Sequence, residues 1–278
     1  MIPLISKHII ICADDYGQNR SISEGIVLLA EKKRINATSC MVNSRLWSEY
    51  HTALLPVQST TFIGLHLNFT HGEALSTAWK KHDGTQFCNF ATLLKNAYLQ
   101  RLNRDVITAE IQAQLDAFTQ AMNTLPDFID GHQHIHQLPC IRDALFNVCP
   151  SGMFIRKTSN CYRDLLSFDG FPKRQLIALL GGITLQHRLK TQSIPSNASF
   201  SGIYNFKQAA NYRHYFKQFL AKSQDDGLIM CHPGNLSDDV SDPLHLYRHH
   251  ELNYFMSDDY LTDLADHSFQ LRCKHHGD

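Results

Sequence analysis

The sequence predicts an α/β fold, in which parallel strands alternate with helices through a single domain of residues 1–278. Short uninterrupted apolar runs, such as residues 8–12, are typical of strands that are buried on both faces of a parallel sheet. Stretches with helical periodicity lie between these runs, most clearly at residues 105–122. Ionisable residues follow several of the apolar runs. The alternation favours an α/β barrel or a doubly wound sheet.

The first strand and the first helix are predicted to form a βα unit. Residues 8–12 lead into the acidic pair Asp14 and Asp15, and Ser21 and Glu24 then have the spacing of a capping box. We therefore expect a helix to open at Ser21.

The rest of the chain continues the alternation. Further strands are predicted at residues 37–42, 62–68, 128–130, 153–156, 227–231 and 269–271. Further helices are predicted at residues 47–55, 105–122, 171–189, 206–221, 248–255 and 260–265. The helix at 105–122 has one apolar stripe, formed by Ile107, Ile111, Leu115, Phe118 and Met122. Residues 70–104 form a connection that is long for a compact domain, so we interpret them as a lid insertion, and residues 193–202 as a polar loop.

Composition and charge argue against several classes of protein. Lys and Arg together number 26, as do Asp and Glu, so the net charge of zero does not indicate binding to nucleic acid or to a membrane surface. No apolar stretch approaches the roughly 18 residues of a membrane-spanning helix, and the first residues do not resemble a signal peptide. The 8 cysteines include no Cys-x-x-Cys pair, which favours reduced thiols over a disulfide framework. We expect a cytoplasmic protein.

Three histidines alternate along residues 130–136, Asp-Gly-His-Gln-His-Ile-His. If this segment is extended, Asp130, His132, His134 and His136 share one face, because successive side chains of a strand point to opposite sides. Imidazoles gathered in this way commonly hold a divalent metal ion. The alternative is a surface cluster, since 17 of the 278 residues are histidine.

The positions of the other ionisable residues favour the metal site. Such residues stand at the ends of separate predicted strands, namely Asp14 with Asp15, His66, His132, Arg156 and His232. In an α/β barrel these strand ends form the face that contains the active site. Chance would scatter the same residues over helix surfaces and loops, so we predict that they belong to one site.

These residue types point to metal-assisted hydrolysis. One or two carboxylates with two imidazoles provide a ligand set that suits Zn, Mn, Co, Ni or Mg and leaves positions open for water and substrate. Such a metal lowers the pKa of water and polarises a carbonyl oxygen. Of the neighbours Asp14 and Asp15, one can bind the metal while the other acts as general base, and His232 can protonate a leaving amine or stabilise an oxyanion.

Several residues have alternative interpretations. The sequence contains no Gly-x-Ser-x-Gly motif, so a serine nucleophile is not indicated. Cys231 beside His232 is better explained as a core thiol. We interpret His134 and His136 as contacts of the substrate or supports of the metal ligands rather than as ligands.

Two basic positions also have two interpretations each. Arg156 fits a substrate clamp or a buried ion pair. The run of residues 248–251, Arg-His-His-Glu, fits a solvated helix face or a wall beside the substrate.

Four motifs in this order resemble the signatures of YdjC-type carbohydrate deacetylases, a family that includes chitooligosaccharide deacetylases and relatives tied to hopanoid biosynthesis. They are Ala-Asp-Asp-Tyr-Gly at 13–17, Gly-Leu-His-Leu-Asn at 64–68, the histidine motif at 130–136 and Cys-His-Pro-Gly at 231–234. The resemblance implies a distorted (β/α) barrel like that of polysaccharide deacetylases. It also implies removal of acetyl groups from N-acetylated amino sugars with a divalent metal ion, of which Mg and Zn are the leading candidates.

The resemblance also implies a role for each matching residue. Asp14 corresponds to the catalytic base, Asp15, His66 and His132 to the metal ligands, and His232 to the catalytic acid. A homodimer is a further expectation from the family.

The side of the site that faces the substrate is expected to include Arg156, His134, His136 and Tyr16. Tyr16 stands where the family often has Phe. Residues 70–104 and 193–202 match the family less clearly and would wall the sugar site, so the identity of the N-acetylated oligosaccharide or glycosylated small molecule stays open.

Two rival functions remain at this point. One is a metal-dependent amidase or phosphoesterase acting on a substrate other than a sugar. The other is a non-catalytic barrel that binds sugar or stores metal, which we disfavour because the base and all of the ligands are present.

Overall fold

The computed structural model describes residues 6–160 and 172–274. Cys161, one of the predicted thiols, and Phe171, the predicted first residue of a helix, lie outside the described residues.

The chain divides into two compact units. Among the described residues, unit 1 consists of residues 6–38, 53–62 and 197–274, and unit 2 consists of residues 39–52, 63–160 and 172–196. The expectation of a single domain with a lid insertion stays a prediction.

Strands and helices alternate along the described chain. The strands are β1 Lys7–Tyr16, β2 Ala37–Cys40, β3 Phe62–Leu67, β4 Phe128–Gly131, β5 Phe154–Ile155, β6 Phe200–Ser201, β7 Gly227–Cys231 and β8 Phe269–Leu271. The helices are α1 Arg20–Glu31, α2 Trp47–Tyr50, α3 Thr77–Asp83, α4 Phe90–Tyr98, α5 Arg104–Met122, α6 Ile141–Val148, α7 Pro172–Ile177, α8 Ile183–Thr191, α9 Tyr212–Lys222, α10 Arg248–Met256 and α11 Asp258–Asp266. None of these described helices combines the length and the apolar character needed to cross a bilayer.

In unit 1, β1 lies at the centre of a parallel arrangement. It pairs in parallel with β7 and with β8, and β7 pairs in parallel with β6. Ile11 of β1 lies opposite Ile229 of β7, and both side chains are fully buried. The continuous apolar pattern of β1 follows from this burial on both faces. The strand also continues through the acidic pair to Tyr16, four residues beyond the predicted apolar run of residues 8–12.

Helix α1 begins earlier than its sequence pattern predicted. Asn19, not Ser21, is the N-cap, because its side chain accepts a hydrogen bond of 2.9 Å from the N–H of Ile22. Asn is as good an N-cap as Ser, so the capping box at Ser21 was one of two competing starts.

In unit 2, β4 pairs in parallel with β3 and with β5. The register sets Leu65 of β3 opposite Ile129 of β4, and Ile129 opposite Ile155 of β5. Arg156 follows β5 directly, as predicted. These parallel pairs, with those of unit 1, confirm the predicted fold class of parallel strands connected by helices, which is the construction of a (β/α) barrel.

Residues 70–104 are more regular than the sequence indicated, since they contain α3 and α4. The ring of Trp79 in α3 lies 5.4 Å from that of Phe69 and 5.0 Å from that of Phe87. This aromatic cluster packs the segment against the end of β3. A lid function for the segment stays a prediction.

The helix predicted at residues 171–189 is interrupted. Between α7 and α8 the turn Ala178–Gly182 leaves helical geometry at Leu180 and at Gly181, whose φ is +107°. A side chain at Gly181 would clash with the carbonyl oxygen of Gln137. Glycine is therefore required both for the dihedral angle and for the close approach.

Candidate active site

Strands β3 and β4 place His66 beside Asp130. The parallel register sets the two residues opposite each other, and His66 Nδ1 lies 2.6 Å from Asp130 Oδ1. Both side chains are buried. Because a carboxylate can only accept, the proton lies on Nδ1 of His66, which leaves a lone pair on its Nε2.

Two further side chains hold the Asp130 carboxylate. Ser39 Oγ donates to Asp130 Oδ1 over 2.5 Å and lies 3.0 Å from His66 Nδ1. Arg156 forms an ion pair with Asp130 Oδ2, and the Arg156 side chain is 1% exposed. Of the two interpretations of Arg156, the structure therefore shows the buried ion pair.

The histidine motif does not continue β4. The strand ends at Gly131, and His132–Gln137 forms helical turns in which Gln133 and His134 have φ of 53° and 61°. The predicted alternation of Asp130, His132, His134 and His136 on one face is therefore wrong. Gly131 allows the tight return of the chain, since a side chain there would meet the backbone nitrogen of His136 at 3.0 Å.

The three imidazoles of this turn differ in their burial and in their neighbours. The ring of His132 is buried, 5.5 Å from the ring of His66 and nearly perpendicular to it. His136 is fully buried and its Nε2 lies 3.0 Å from the carbonyl oxygen of Arg156, to which it donates. His134 is half-buried. The structure thus pairs His132 with His66 and separates it from His136.

The acidic pair lies at the end of β1 in unit 1. Asp14 and Asp15 are each 2% exposed, and Cys12 Sγ lies 3.5 Å from Asp14 Oδ1. Asp15 has a φ of +72°, in the left-handed region that non-glycine residues seldom adopt. Such backbone strain is concentrated at functional sites, where the surrounding structure maintains it.

The carboxylate of Asp15 is held by Arg248 from α10. Arg248 Nη2 lies 2.9 Å from Asp15 Oδ2, and Arg248 Nε lies 2.7 Å from Asp242 Oδ2. Burial alone would lower the pKa of Arg248, but the carboxylates of Asp15 and Asp242 raise it above the ordinary value. Because Arg248 is 3% exposed, its interpretation as part of a solvated helix face is wrong.

A buried carboxyl group also supports His232. Glu251, in the same helix as Arg248, accepts the backbone N–H of His232 over 2.6 Å and the hydroxyl of Tyr204 over 2.6 Å. Burial raises the pKa of Glu251 to about 7, with a contribution from Asp14, although the hydrogen bonds oppose the shift. The ring of His232 is half-buried and contacts Phe206 edge-on, with 5.4 Å between the ring centres.

Three of the residues expected to face the substrate are almost inaccessible. Tyr16 and His136 are 0% exposed and Arg156 is 1% exposed. Their burial does not support contact with a substrate, whereas the half-buried His134 is compatible with it. The substrate role of all four stays a prediction.

The histidine pair of unit 2 fits a divalent metal ion. Histidines that ligate metals almost always donate their other ring N–H to a carboxylate, a carbonyl or water, which sets the tautomer and the orientation of the ring. His66 has this arrangement with Asp130, and His132 lies beside it. Two imidazole nitrogens with a carboxylate oxygen also match the donor set of Zn and related ions.

Several residues of the site were missed because the sequence does not show burial. Arg248 and Glu251 are three positions apart on one helix, a spacing that gives them a common face, but charged residues are mostly exposed. Ser39 and Tyr204 belong to no motif, and only their contacts reveal them. Asp130 was named in the histidine motif, but its support of His66 depends on the pairing of β3 with β4.

Comparison with known proteins places the chain in a family. The model of the YdjC-like protein family matches residues 8–266. A chitooligosaccharide deacetylase of Yersinia enterocolitica is 26% identical over 234 residues, which cover 82% of each protein. A carbohydrate deacetylase of Danio rerio is 29% identical over 157 residues, covering 53% of this chain and 48% of that protein.

A solved structure has the same fold. A protein of Enterococcus faecalis V583, provisionally named for cleavage of cellobiose phosphate, superposes with a TM-score of 0.70 at 16% identity. The alignment covers 97% of this chain and 98% of that one. The similarity of structure supports the fold alone, whereas the family match extends over all four motifs of the site. The chain belongs to the YdjC-like protein family.

Proposed function

We propose that this protein is a hydrolase that removes the acetyl group from an N-acetylated amino sugar with the help of a divalent metal ion, Mg or Zn. The substrate class follows from the relatives, which are named as deacetylases of chitooligosaccharides and of carbohydrates. A short oligosaccharide or a glycosylated small molecule fits this class. The reaction breaks the amide C–N bond and yields acetate and a free amine.

The orientation of His66 by Asp130 is the observation that carries the proposal. Burying an ionised carboxylate is unfavourable unless its partners compensate. Here Arg156 and Ser39 compensate it, and the result is an imidazole with a fixed tautomer next to a second buried imidazole. The arrangement matches that of a ligating histidine and its supporting carboxylate, and it therefore supports the proposal.

We propose Asp15, His66 and His132 as the metal ligands. A divalent ion held by them would polarise the acetyl carbonyl and make water a stronger nucleophile at neutral pH. Arg248 and Asp242 would keep the Asp15 carboxylate in one orientation, because Arg248 binds both carboxylates through a rigid guanidinium group.

Asp14 and His232 are proposed to move the protons. Asp14 would accept the proton of the attacking water, the role that its matching position in the family implies, and its side chain is 2% exposed. His232 would donate a proton to the departing amine. Its backbone is held by Glu251 and its ring by Phe206, so its position is set from both sides.

Acetate release from N-acetylglucosamine oligomers of two to six units tests the proposal. The parent protein is assayed with added Mg or Zn and with a chelator, and bound metal is measured by mass spectrometry. We expect release that the chelator abolishes. Asp14→Asn should keep its metal and lose at least about 100-fold in turnover, a typical contribution of general base catalysis.

Asp116→Asn, on the exposed side of α5, should be as active as the parent. Activity retained by Asp14→Asn would remove the base assignment. Release from simple amides or phosphate esters but from no sugar would favour the rival hydrolase, and no activity with metal bound would favour a binding protein.

A further inference from the structure

His71 is a histidine of unit 2 that no motif of the sequence analysis included. It follows β3 by four residues and is half-buried. The centre of its ring lies 4.8 Å from that of His132, with the two rings nearly perpendicular. His71 therefore borders the histidine pair that we propose to bind metal.

The backbone of His71 is held by three hydrogen bonds with buried amide side chains. Its N–H donates to Asn68 Oδ1 over 3.0 Å. Its carbonyl oxygen accepts from Asn68 Nδ2 over 2.7 Å and from Asn43 Nδ2 over 3.0 Å. Asn68 is 0% exposed and Asn43 is 7% exposed.

Helix α5 anchors this turn in the core. Gln114 Oε1 accepts the N–H of Asn68 over 3.0 Å, and Gln114 Nε2 donates to the carbonyl oxygen of Asn68 over 2.8 Å. Glu110, one helical turn away, accepts the backbone N–H groups of Leu75 and Ser76. Both Glu110 and Gln114 are fully buried, on the face of α5 where the sequence indicated an apolar stripe.

This polar network satisfies backbone groups of the turn, namely the N–H groups of Asn68, Leu75 and Ser76 and the carbonyl oxygen of Asn68. Such groups cost free energy when they are buried without a partner, so the network holds the turn in one conformation. What the network achieves is a rigid turn that presents one imidazole at the edge of the proposed site. Side chains that bind ligands are commonly supported in this way, because a rigid residue loses little entropy on binding.

We propose that His71 is a substrate-binding residue, whose imidazole hydrogen-bonds a hydroxyl group of the sugar unit that carries the reacting acetamide. The proposal rests on the proposed deacetylase function. It assigns to His71 a contribution to recognition of the sugar, not to metal binding.

His71→Phe tests this assignment, because it keeps an aromatic ring against His132 and removes the hydrogen bond. His71→Gln keeps a donor and an acceptor. His82→Phe is the matched control, since His82 belongs to α3 of the same segment and its side chain is 47% exposed. KM and kcat for acetate release from N-acetylglucosamine oligomers are measured for all three variants, together with bound metal and melting temperature.

We expect His71→Phe to raise KM about tenfold, the effect of one hydrogen bond of about 1.4 kcal/mol, with kcat and metal content close to the parent values. His71→Gln should recover part of this loss, and His82→Phe should behave as the parent. An unchanged KM in His71→Phe would overturn the proposal. Loss of bound metal in His71→Phe would also overturn it, since His71 would then be a metal ligand.

A second readout separates failure of this inference from failure of the proposed function. Binding of the N-acetylglucosamine dimer is measured by calorimetry in the parent and in His71→Phe. If the parent releases no acetate but binds the dimer more tightly than the variant does, the deacetylase function fails and the role of His71 stands. If the parent does not bind the dimer, the role of His71 in sugar recognition is overturned as well.

Discussion

At the scale of single residues, the Asp130 carboxylate holds the His66 imidazole in a group of buried side chains. It accepts from His66 and Ser39 and is paired with Arg156. Both charges of the ion pair are buried, so neither can be removed without leaving the other uncompensated. Asp130 is therefore expected to affect both stability and the proposed metal binding.

Asp130→Asn should lower metal affinity about 10- to 100-fold, the usual effect of removing the carboxylate that supports a ligating histidine. It should also lower the free energy of unfolding by about 3–5 kcal/mol, because Arg156 is left buried without its counter-charge. Metal titration and urea denaturation measure the two effects. Asp116→Asn is the exposed control, and an unchanged metal affinity in Asp130→Asn would contradict the supporting role of Asp130.

Glu251 gives the protein a predictable dependence of stability on pH. Its pKa is raised from 4.5 to about 7 by burial, so between these values the folded state holds a proton that the unfolded state has released. The contribution of Glu251 to stability is present at low pH and is lost as the pH rises through about 7.

Glu251→Gln removes this titration. As the pH rises from 4.5 to about 7, the parent should therefore lose stability relative to the variant. The loss of unfolding free energy should be at most about 1.4 kcal/mol per pH unit. Urea denaturation at pH 5 and pH 8, with chelator present throughout, measures how the difference in unfolding free energy between parent and variant depends on pH. An equal difference at both pH values would refute the raised pKa.

At the scale of elements, the turn of His232, Pro233 and Gly234 is positioned by helix α1. The Cα of Gly234 would lie 3.0 Å from a side chain placed at Gly25, and Asn235 donates its N–H to the carbonyl oxygen of Ser21 over 2.9 Å. Two glycines thus allow the turn to approach the helix backbone directly. The position of His232, the proposed acid, therefore depends on this contact.

Gly25→Ala should destabilise the protein by about 1–3 kcal/mol, because the new methyl group meets backbone atoms that cannot move aside easily. Helix propensity alone predicts the opposite, a gain of about 1 kcal/mol for Ala over Gly. Glu31→Ala, at an exposed position of the same helix, is the control for propensity. Thermal and chemical denaturation decide the sign, and a stabilised Gly25→Ala would show that the close contact is absent.

Helix α5 shows how far a periodic pattern can predict an element. Asn103 accepts the backbone N–H groups of Asp105 and Val106, and the left-handed Asn123 ends the helix. The stripe from Ile107 to Met122 is buried as predicted. The pattern could not show that Glu110 and Gln114 share the buried side, because their partners are backbone groups of a distant turn.

At the scale of the whole molecule, metal binding should be linked to folding. A ligand that binds only the folded state stabilises it by about 2.7 kcal/mol at one hundred times its dissociation constant. For a chain of this size that corresponds to a rise of about 5 °C in melting temperature.

Melting temperatures with Zn or Mg and with chelator test this linkage. The parent should show the rise, whereas His66→Ala and His132→Ala should show little of it and contain little metal. A melting temperature that does not depend on metal in the parent would contradict the metal site. A normal rise in both variants would contradict their assignment as ligands.

Sequence patterns predicted the parallel strands, most of the helices and the motifs of the family, because burial on two faces, helical periodicity and residue type are local properties. They located His66, His132, Asp14, Asp15 and His232 at or next to strand ends. The tertiary structure alone decided which polar residues are buried and what holds them. In the tertiary structure the histidine motif turns at Gly131, and His136 is buried. Arg156 is paired with Asp130, Arg248 is paired with Asp15, and His71 lies beside His132. These outcomes depend on contacts between residues far apart in the chain, where the free energy of a charge or an amide is set by its partners and not by its neighbours in sequence.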